Sequence, residues 1–210
     1  MNALDSLHEY GVLPRRAQRL ADLLAEIIPH HCTVLDVGSG DGRIDTLLLK
    51  QRQDLKIQGV EVSSRTQAEF PVTYFDGTTL PFEKQSFDVV MFVDVLHHTS
   101  DPLVLLREAV RVARRAIVLK DHTLQGVLSG TRLRFMDYVG NARHGVALPF
   151  NYWTKQQWAE AEDRLGLHQK YEIRKLKLYP WLADSIFGAN LHFIARYDLS
   201  KPELNDAHAK

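Results

Sequence analysis

The chain has a single cysteine, Cys32, among 210 residues. No internal disulfide is possible and a metal site built from several cysteines is excluded, so no metal ligand set is expected. Standing just ahead of an apolar run, Cys32 reads as a small buried side chain. Net charge is also missing, with 26 Lys plus Arg against 26 Asp plus Glu. A neutral balance gives no reason to expect a polyanion, and no local basic patch suited to nucleic acid stands out. Long hydrophobic runs are absent too, and residues 1–14 lack a basic stretch followed by an apolar one. The reading is a soluble cytoplasmic protein with no membrane span. The length suits one α/β domain, and neither an internal repeat nor a low-complexity linker divides it.

What is present centres on residues 33–43, TVLDVGSGDGR. Thr33, Val34, Leu35 and Val37 form a short β-branched and apolar run that stops at Gly38, Gly40 and Gly42, as a buried strand ending in a tight turn would. Ile44, Leu47 and Leu48 then recur at helical spacing over residues 44–51. Strand, glycine turn and helix place backbone N–H groups where a ligand approaches closely. Asp36 sits at the end of the strand. A carboxylate there repels a pyrophosphate and suits a cationic or hydroxyl-bearing ligand.

Residues 4–14 read as a lead-in with a turn near Gly11 and Pro14, and Ala17, Leu20, Leu24, Ile27 and Ile28 mark a helix over 15–28. Residues 57–62 (IQGVEV) read as a second strand ending at Glu61, about 20 residues past the glycine turn. That is the separation at which a carboxylate meets ribose hydroxyls in nucleotide-binding βαβ units. The helix after it must be short, because residues 63–70 lead straight to Pro71. A third strand over 72–76 closes on Asp76, and a Gly- and Pro-containing loop over 77–86 precedes a nearly continuous apolar strand over 87–95. Asp101 and Pro102 start a helix, and residues 116–120 form a fifth strand. This alternation predicts a three-layer, Rossmann-like α/β fold, an open sheet of about seven strands, mostly parallel. Residues 168–178 and 190–197 supply an antiparallel pair at one edge. Thr154 and Gly166 bound a helix before them. Residues 123–153 read as a helix and loop inserted over the ligand-binding strand ends. Residues 1–199 form a single domain, and 200–210 a polar, disordered tail.

VLDVGSGDGR resembles the first motif of class I S-adenosylmethionine-dependent methyltransferases. FDGTTLPFEKQSFDVVMFVDVLHHTSDP resembles the later motifs of the branch that includes the small-molecule methyltransferases of quinone biosynthesis. The resemblance covers residues 33–121. It implies S-adenosyl-L-methionine as cofactor, with its methionine part over Asp36, Gly38, Ser39 and Gly40. Glu61 and the adjoining Val62 meet the ribose, and Asp76, Gly77 and Thr78 meet the adenine. Asp94 and Val95 border the methionine moiety and the methyl group. Tyr10 and Arg15 are candidates for closing over the carboxylate, and His97 and His98 for proton transfer. His122, Arg132, His144 and His192 read as surface or structural. Phe135, Tyr138, Phe150, Tyr152 and Trp153 read as mostly core, with some lining a site for a small, partly apolar acceptor. Two other readings stand beside this one: a non-catalytic module that binds the cofactor or its demethylated product and serves a partner protein, and a nicotinamide-dependent oxidoreductase. The oxidoreductase requires glycine where Arg43 stands and a Tyr-Lys pair that is not evident.

Overall fold

The computed structural model describes residues 13–62, 70–141, 149–188 and 190–199. Its elements in chain order are α1 (Leu13–Ile27), β1 (Thr33–Val37), α2 (Arg43–Gln51), β2 (Lys56–Glu61), β3 (Val72–Tyr74) and β4 (Phe87–Val93). There follow a 3₁₀ turn (Leu96–His98), α3 (Pro102–Val112), β5 (Ala113–His122), α4 (Ser129–Asn141), α5 (Lys155–Leu165), β6 (Leu167–Ile173) and β7 (His192–Leu199). The strands form one seven-stranded sheet in the order β3-β2-β1-β4-β5-β7-β6. The first five are mutually parallel, while β7 runs antiparallel to both β5 and β6. This is the expected open, Rossmann-like sheet, with the antiparallel strand second from the edge.

The central strands are apolar throughout because both of their faces are covered. In β4, Val90 and Phe92 face a core shared with Leu105, Leu106 and Trp158 of α3 and α5. Val89 and Met91 face the opposite core, with Leu20 and Leu24 of α1 and Leu48 of α2. The helix ends follow the sequence. Asp101 Oδ1 accepts from Leu103 N at 2.9 Å with Pro102 in the first turn, and Thr154 and Gln157 close a reciprocal capping box before α5. At the C-terminus of α1, Arg52 donates to the carbonyls of Ala25, Ile28 and Pro29, while Asp54 holds its guanidinium at 2.7 and 2.8 Å. These bonds satisfy carbonyls that the end of a helix leaves orphaned.

Several boundaries move, β5 starting already at Ala113 and β4 ending at Val93. Pro14 belongs to the first turn of α1 and not to a lead-in turn, a position where its missing N–H is harmless. β3 stops at Tyr74, before Asp76. β6 stops at Ile173, although alternation continues through buried Leu176 and Leu178 and exposed Lys175 and Lys177. Extended chain keeps the period of two without pairing, and Lys177 has φ 54°, which no ladder accommodates. The shortened helix expected near 63–70 and the tail at 200–210 lie outside the described residues.

Phe92 is fully buried near the carboxyl end of β4, the central strand of the sheet. Phe92→Ala is expected to lower the unfolding free energy by about 3–5 kcal/mol, read from urea denaturation.

Candidate functional site

The strand order reverses between β1 and β4, and the carboxyl ends of these strands open the crevice where such sheets bind ligands. Gly38, with φ 76°, leaves β1 so close to the end of β4 that an added Cβ would lie 2.6 Å from Val95 Cγ2. Its N–H donates to Val60 O of β2 at 2.8 Å, which fixes the start of the turn. Glu61 ends β2 and accepts from Gly40 N at 3.0 Å through one oxygen and from Val62 N at 2.9 Å through the other. A Cβ on Gly77 would touch Val62 at 3.3 Å. The crevice thus brings Gly38, Ser39, Gly40, Glu61, Val62, Gly77 and Val95 together. Asp76 lies at its outer end, where its carboxylate accepts from Thr78 N and Thr79 N, both at 2.7 Å. Those bonds hold its pKa below the usual carboxylate range.

Asp36 is buried at the inner end of the crevice beside Asp45, a residue that sequence reasoning passed over. Asp45 lies in the first turn of α2 and is completely buried, on the same stripe as Leu48 three residues on. The two carboxyl groups face one another. Burial pushes the Asp45 pKa up to about 7, and burial together with Asp45 pushes Asp36 well above its ordinary value. Such a pair shares one proton. Asp36 Oδ1 and both oxygens of Asp45 meet no hydrogen-bond donor among the described residues.

Past β4 the chemistry changes. Asp94, at φ 59°, turns away from the glycine turn and pairs with Arg16 of α1 and with fully buried Lys120 of β5. Burial opposes ionised Asp94, but these two cations outweigh it and hold the carboxyl well below its usual range. His97 donates through Nδ1 to Asp121 Oδ1 at 2.6 Å, and its Nε2 lies 3.5 Å from Asp137 Oδ2, near enough for an ion pair though not aligned as a hydrogen bond. Burial disfavours the imidazolium, yet the two carboxylates prevail and raise His97 to about 10. The Tyr152 hydroxyl donates to Asp137. His98 packs with its ring centroid 4.0 Å from that of His97. Burial and the neighbouring cation lower its pKa, and its Nδ1 has no hydrogen-bond partner among the described residues. Burial, Lys120 and His97 push His122 down to about 4. Asp94, His97, Asp121 and His122 each bring a potential ligand atom within 4.8 Å of the others. A divalent ion there would meet Arg16 and Lys120 already seated on Asp94. Arg16, Lys120 and protonated His97 balance Asp94, Asp121 and Asp137 without it.

Residues 35–117 match the family described as a methyltransferase domain. An uncharacterized methyltransferase of Mycobacterium sp. (strain JLS) is 33% identical over 152 residues, 66% of this chain and 60% of that protein. The demethylmenaquinone methyltransferase of Thermotoga maritima is 30% identical over 121 residues, 53% of this chain and 51% of that protein. The chain therefore spans about half to 60% of the length of these curated relatives. In fold it is similar to a putative methyltransferase solved with its activator protein from Haloferax volcanii. There the TM-score is 0.68 at 14% identity, over 94% of this chain and 98% of that one. The match supports a class I S-adenosylmethionine-dependent methyltransferase domain over residues 35–117.

The matched part of the methyltransferase domain runs from β1 into β5, so it contains the crevice together with His97 and His98. Asp121, His122, Asp137 and Tyr152 lie beyond it. Tyr10 and His144 lie outside the described residues. Arg15 is exposed, and it is Arg16 that turns inward, one position along the same helix. A charged residue on the buried side of an amphipathic helix was the signal available for Arg16. His122 and His192 are buried, in keeping with a structural role. The aromatic group divides: Tyr152 and Trp153 are core, but Phe135 and Tyr138 are 57% and 64% exposed. Aromatic content marks core only when the helix phase is known, and glycines at 126, 130 and 140 obscured that phase.

The shared proton of the methyltransferase domain carries a sign. Asp45 holds its proton up to about pH 7 when folded, against 3.8 for an ordinary Asp. Between these values the native state binds more protons than the unfolded one, so stability falls as pH rises. Asp45→Asn is expected to make this slope shallower from about pH 4 to about pH 7, leaving the part that buried Asp36 contributes. Urea denaturation across that range reads the difference, and an unchanged slope means that no proton is shared.

Proposed function

We propose that the crevice binds S-adenosylmethionine, and that the chain transfers its methyl group to an O, N or C nucleophile of a small, partly apolar acceptor. The observation that carries this reading is the tie between Glu61 and Gly40, which holds a carboxylate at the end of β2 beside a glycine turn whose first residue, Gly38, has no room for a side chain. The residues fit the cofactor. Gly38 and Gly40 leave space for the methionine part, and the unsatisfied Asp36 Oδ1 and Ser39 Oγ offer polar atoms there. Glu61 retains lone pairs for both ribose hydroxyls, and Asp76, Gly77 and Thr78 border the adenine. Val95 lies against the turn, while Asp94 acts from behind it by anchoring Arg16 and Lys120. The family likeness supports the same reading, and Arg43 in place of a third spaced glycine disfavours a dinucleotide.

When bound, the sulfonium supplies an electrophilic methyl group, so the chain has to align a nucleophile and accept its proton. Of the two candidate histidines, His97 is unsuited to accept one, because Asp121 and Asp137 keep it protonated. His98 is neutral, with an unpartnered nitrogen, and is the better base. The acceptor enters from the side of α4 and Tyr152, the part of the chain that lies beyond the cofactor crevice.

Calorimetry with S-adenosylhomocysteine is expected to show binding, and NAD(H) none. The reverse pattern removes the methyltransferase reading. Glu61→Ala is expected to weaken S-adenosylhomocysteine by about tenfold or more, with Glu61→Gln intermediate, since charged hydrogen bonds are each worth about 1.5–3 kcal/mol. Unchanged affinity takes Glu61 out of the site. On an acceptor found by screening a metabolite library, His98→Ala is expected to lower kcat by about a hundredfold or more with cofactor affinity intact. Full turnover ends the general-base assignment, and binding without turnover on any acceptor favours a non-catalytic module.

A further inference from the structure

α4 turns a broad apolar face to solvent. Phe135 and Tyr138 fall on one arc of α4 with Thr131 and Arg134, and Val127 and Leu128 stand in the turn just before the helix. The four apolar side chains are 87, 68, 57 and 64% exposed, whereas Leu133 and Asp137 on the opposite side are buried. The helical turn at 181–188 adds Trp181, Leu182 and Ile186, exposed by 79, 61 and 53%. The rings of Phe135 and Phe187 stack with centroids 6.0 Å apart, joining the two elements into one surface. Single exposed apolar residues are ordinary, but a contiguous set of this kind marks an interaction face.

The charges around it are of one sign. Over a chain that is neutral in sum, residues 174–188 carry Arg174, Lys175 and Lys177 against Asp184 alone. Asp184 is turned back to accept from Tyr179 N, and Arg174 is engaged by Glu172. Lys175 and Lys177 are exposed, directed outward by the inward-facing Leu176 and Leu178 between and after them. Lys175 and Lys177 line one shallow cavity of about 300 Å³ with Asp184, Ser185 and Gly188, so they border the turn itself. On α4, Arg134 is exposed and lies 5.7 Å from the Phe150 ring, while Asp137 is buried against His97.

We propose that α4 and the turn at 181–188 form a single docking face for an anionic lipid bilayer. The apolar side chains enter the boundary between headgroups and acyl chains, and Lys175, Lys177 and Arg134 meet the headgroup phosphates. A second copy is a poorer occupant, because a twofold pairing of this face sets lysines against lysines. No helix among the described residues is long and apolar enough to cross a membrane, so the contact is with the surface. Because α4 carries Asp137 on its inner side, the docked face backs directly onto the His97 cluster. A bilayer thereby delivers an apolar acceptor to the side of the domain that lacks the cofactor crevice. Binding to lipid does not require the methyltransferase reading, and it is measured without cofactor.

The test is co-sedimentation with vesicles of phosphatidylcholine alone and of phosphatidylcholine mixed equally with phosphatidylglycerol. The full chain is expected to sediment with the anionic vesicles and to be released by salt. Trp153 and Trp158 are each 8% exposed, so a blue shift in tryptophan emission on binding reports Trp181. Trp181→Ser combined with Leu182→Ser is expected to lower partitioning about tenfold or more and to abolish the shift. Lys175→Gln with Lys177→Gln is expected to weaken it severalfold through charge alone. Melting temperatures of both variants are expected to match the parent, as the side chains are exposed. Failure to sediment with anionic vesicles, or equal retention of the Trp181 and Leu182 variant, overturns the proposal. A dimer in sedimentation velocity that this variant dissociates also overturns it, and gives the face to a second copy.

Discussion

The close approach of β1 and β4 at their carboxyl ends is the constraint on which the rest depends. A side chain at position 38 would overlap Val95, so the turn after β1 must begin with glycine and must leave the sheet steeply. With Gly38 N bonded to Val60 O and Gly40 N to Glu61, the same turn is also tied to β2. Three strand ends are thereby held in one arrangement, and α2 starts where its backbone N–H groups line the crevice. Among the crevice side chains only Val95 and Glu61 take part in this positioning. Asp36 and Asp45 can be buried facing one another because one proton between them halves the charge that burial would otherwise penalise.

A second constraint acts behind the crevice. Lys120 and Asp121 are successive residues of β5, so they point to opposite sides of the sheet. Lys120 pairs with Asp94, and Asp121 pairs with His97. The end of β4 and the following 3₁₀ turn are therefore clamped by adjacent positions of one neighbouring strand. A buried cluster of this kind adds little to net stability, since desolvation offsets most of the attraction. Its effect is on geometry and protonation: it fixes the φ of Asp94 in the left-handed region and keeps His97 charged beside an uncharged His98.

Much of this was legible in the sequence because it is local. The apolar run of β4, the glycines after β1, the Asp101-Pro102 start of α3 and the Thr154 and Gly166 ends of α5 each announce a backbone state that neighbours do not override. Glu61 was readable as a strand-end carboxylate at a set distance, whereas Asp76 lies two residues past the end of its strand. Asp45, Arg16 and Asp121 were not, because their partners come from separate elements. Asp45 meets Asp36 across the glycine turn, and Arg16 meets Asp94 across 78 positions. Asp121 meets His97 across 24. A charged residue on an apolar stripe is a visible irregularity, but only the fold says what neutralises it. The assignment of Phe135 and Tyr138 to the core failed for the opposite reason, since aromatic residues on α4 were counted without knowing which arc faced inward.

The protonation of His97 decides how the two halves of the domain divide the chemistry. Were His97 neutral, Asp121 and Asp137 would stand as two buried carboxylates that keep only neutral donors, the Leu96 and His122 N–H groups for Asp121 and the Tyr152 hydroxyl for Asp137, and His122 is itself held uncharged by burial and Lys120. That arrangement leaves a buried negative charge unpaired, which costs far more than keeping one proton on His97. The proton on His97 in turn disfavours one on His98, whose ring lies against it. A neutral imidazole is thus maintained near neutral pH by an electrostatic chain that starts at Asp121 and Asp137, neither of which needs to touch an acceptor. Asp137 lies on the inner side of α4, so any movement of that helix on its outer face is transmitted first to the carboxylate that keeps His97 charged.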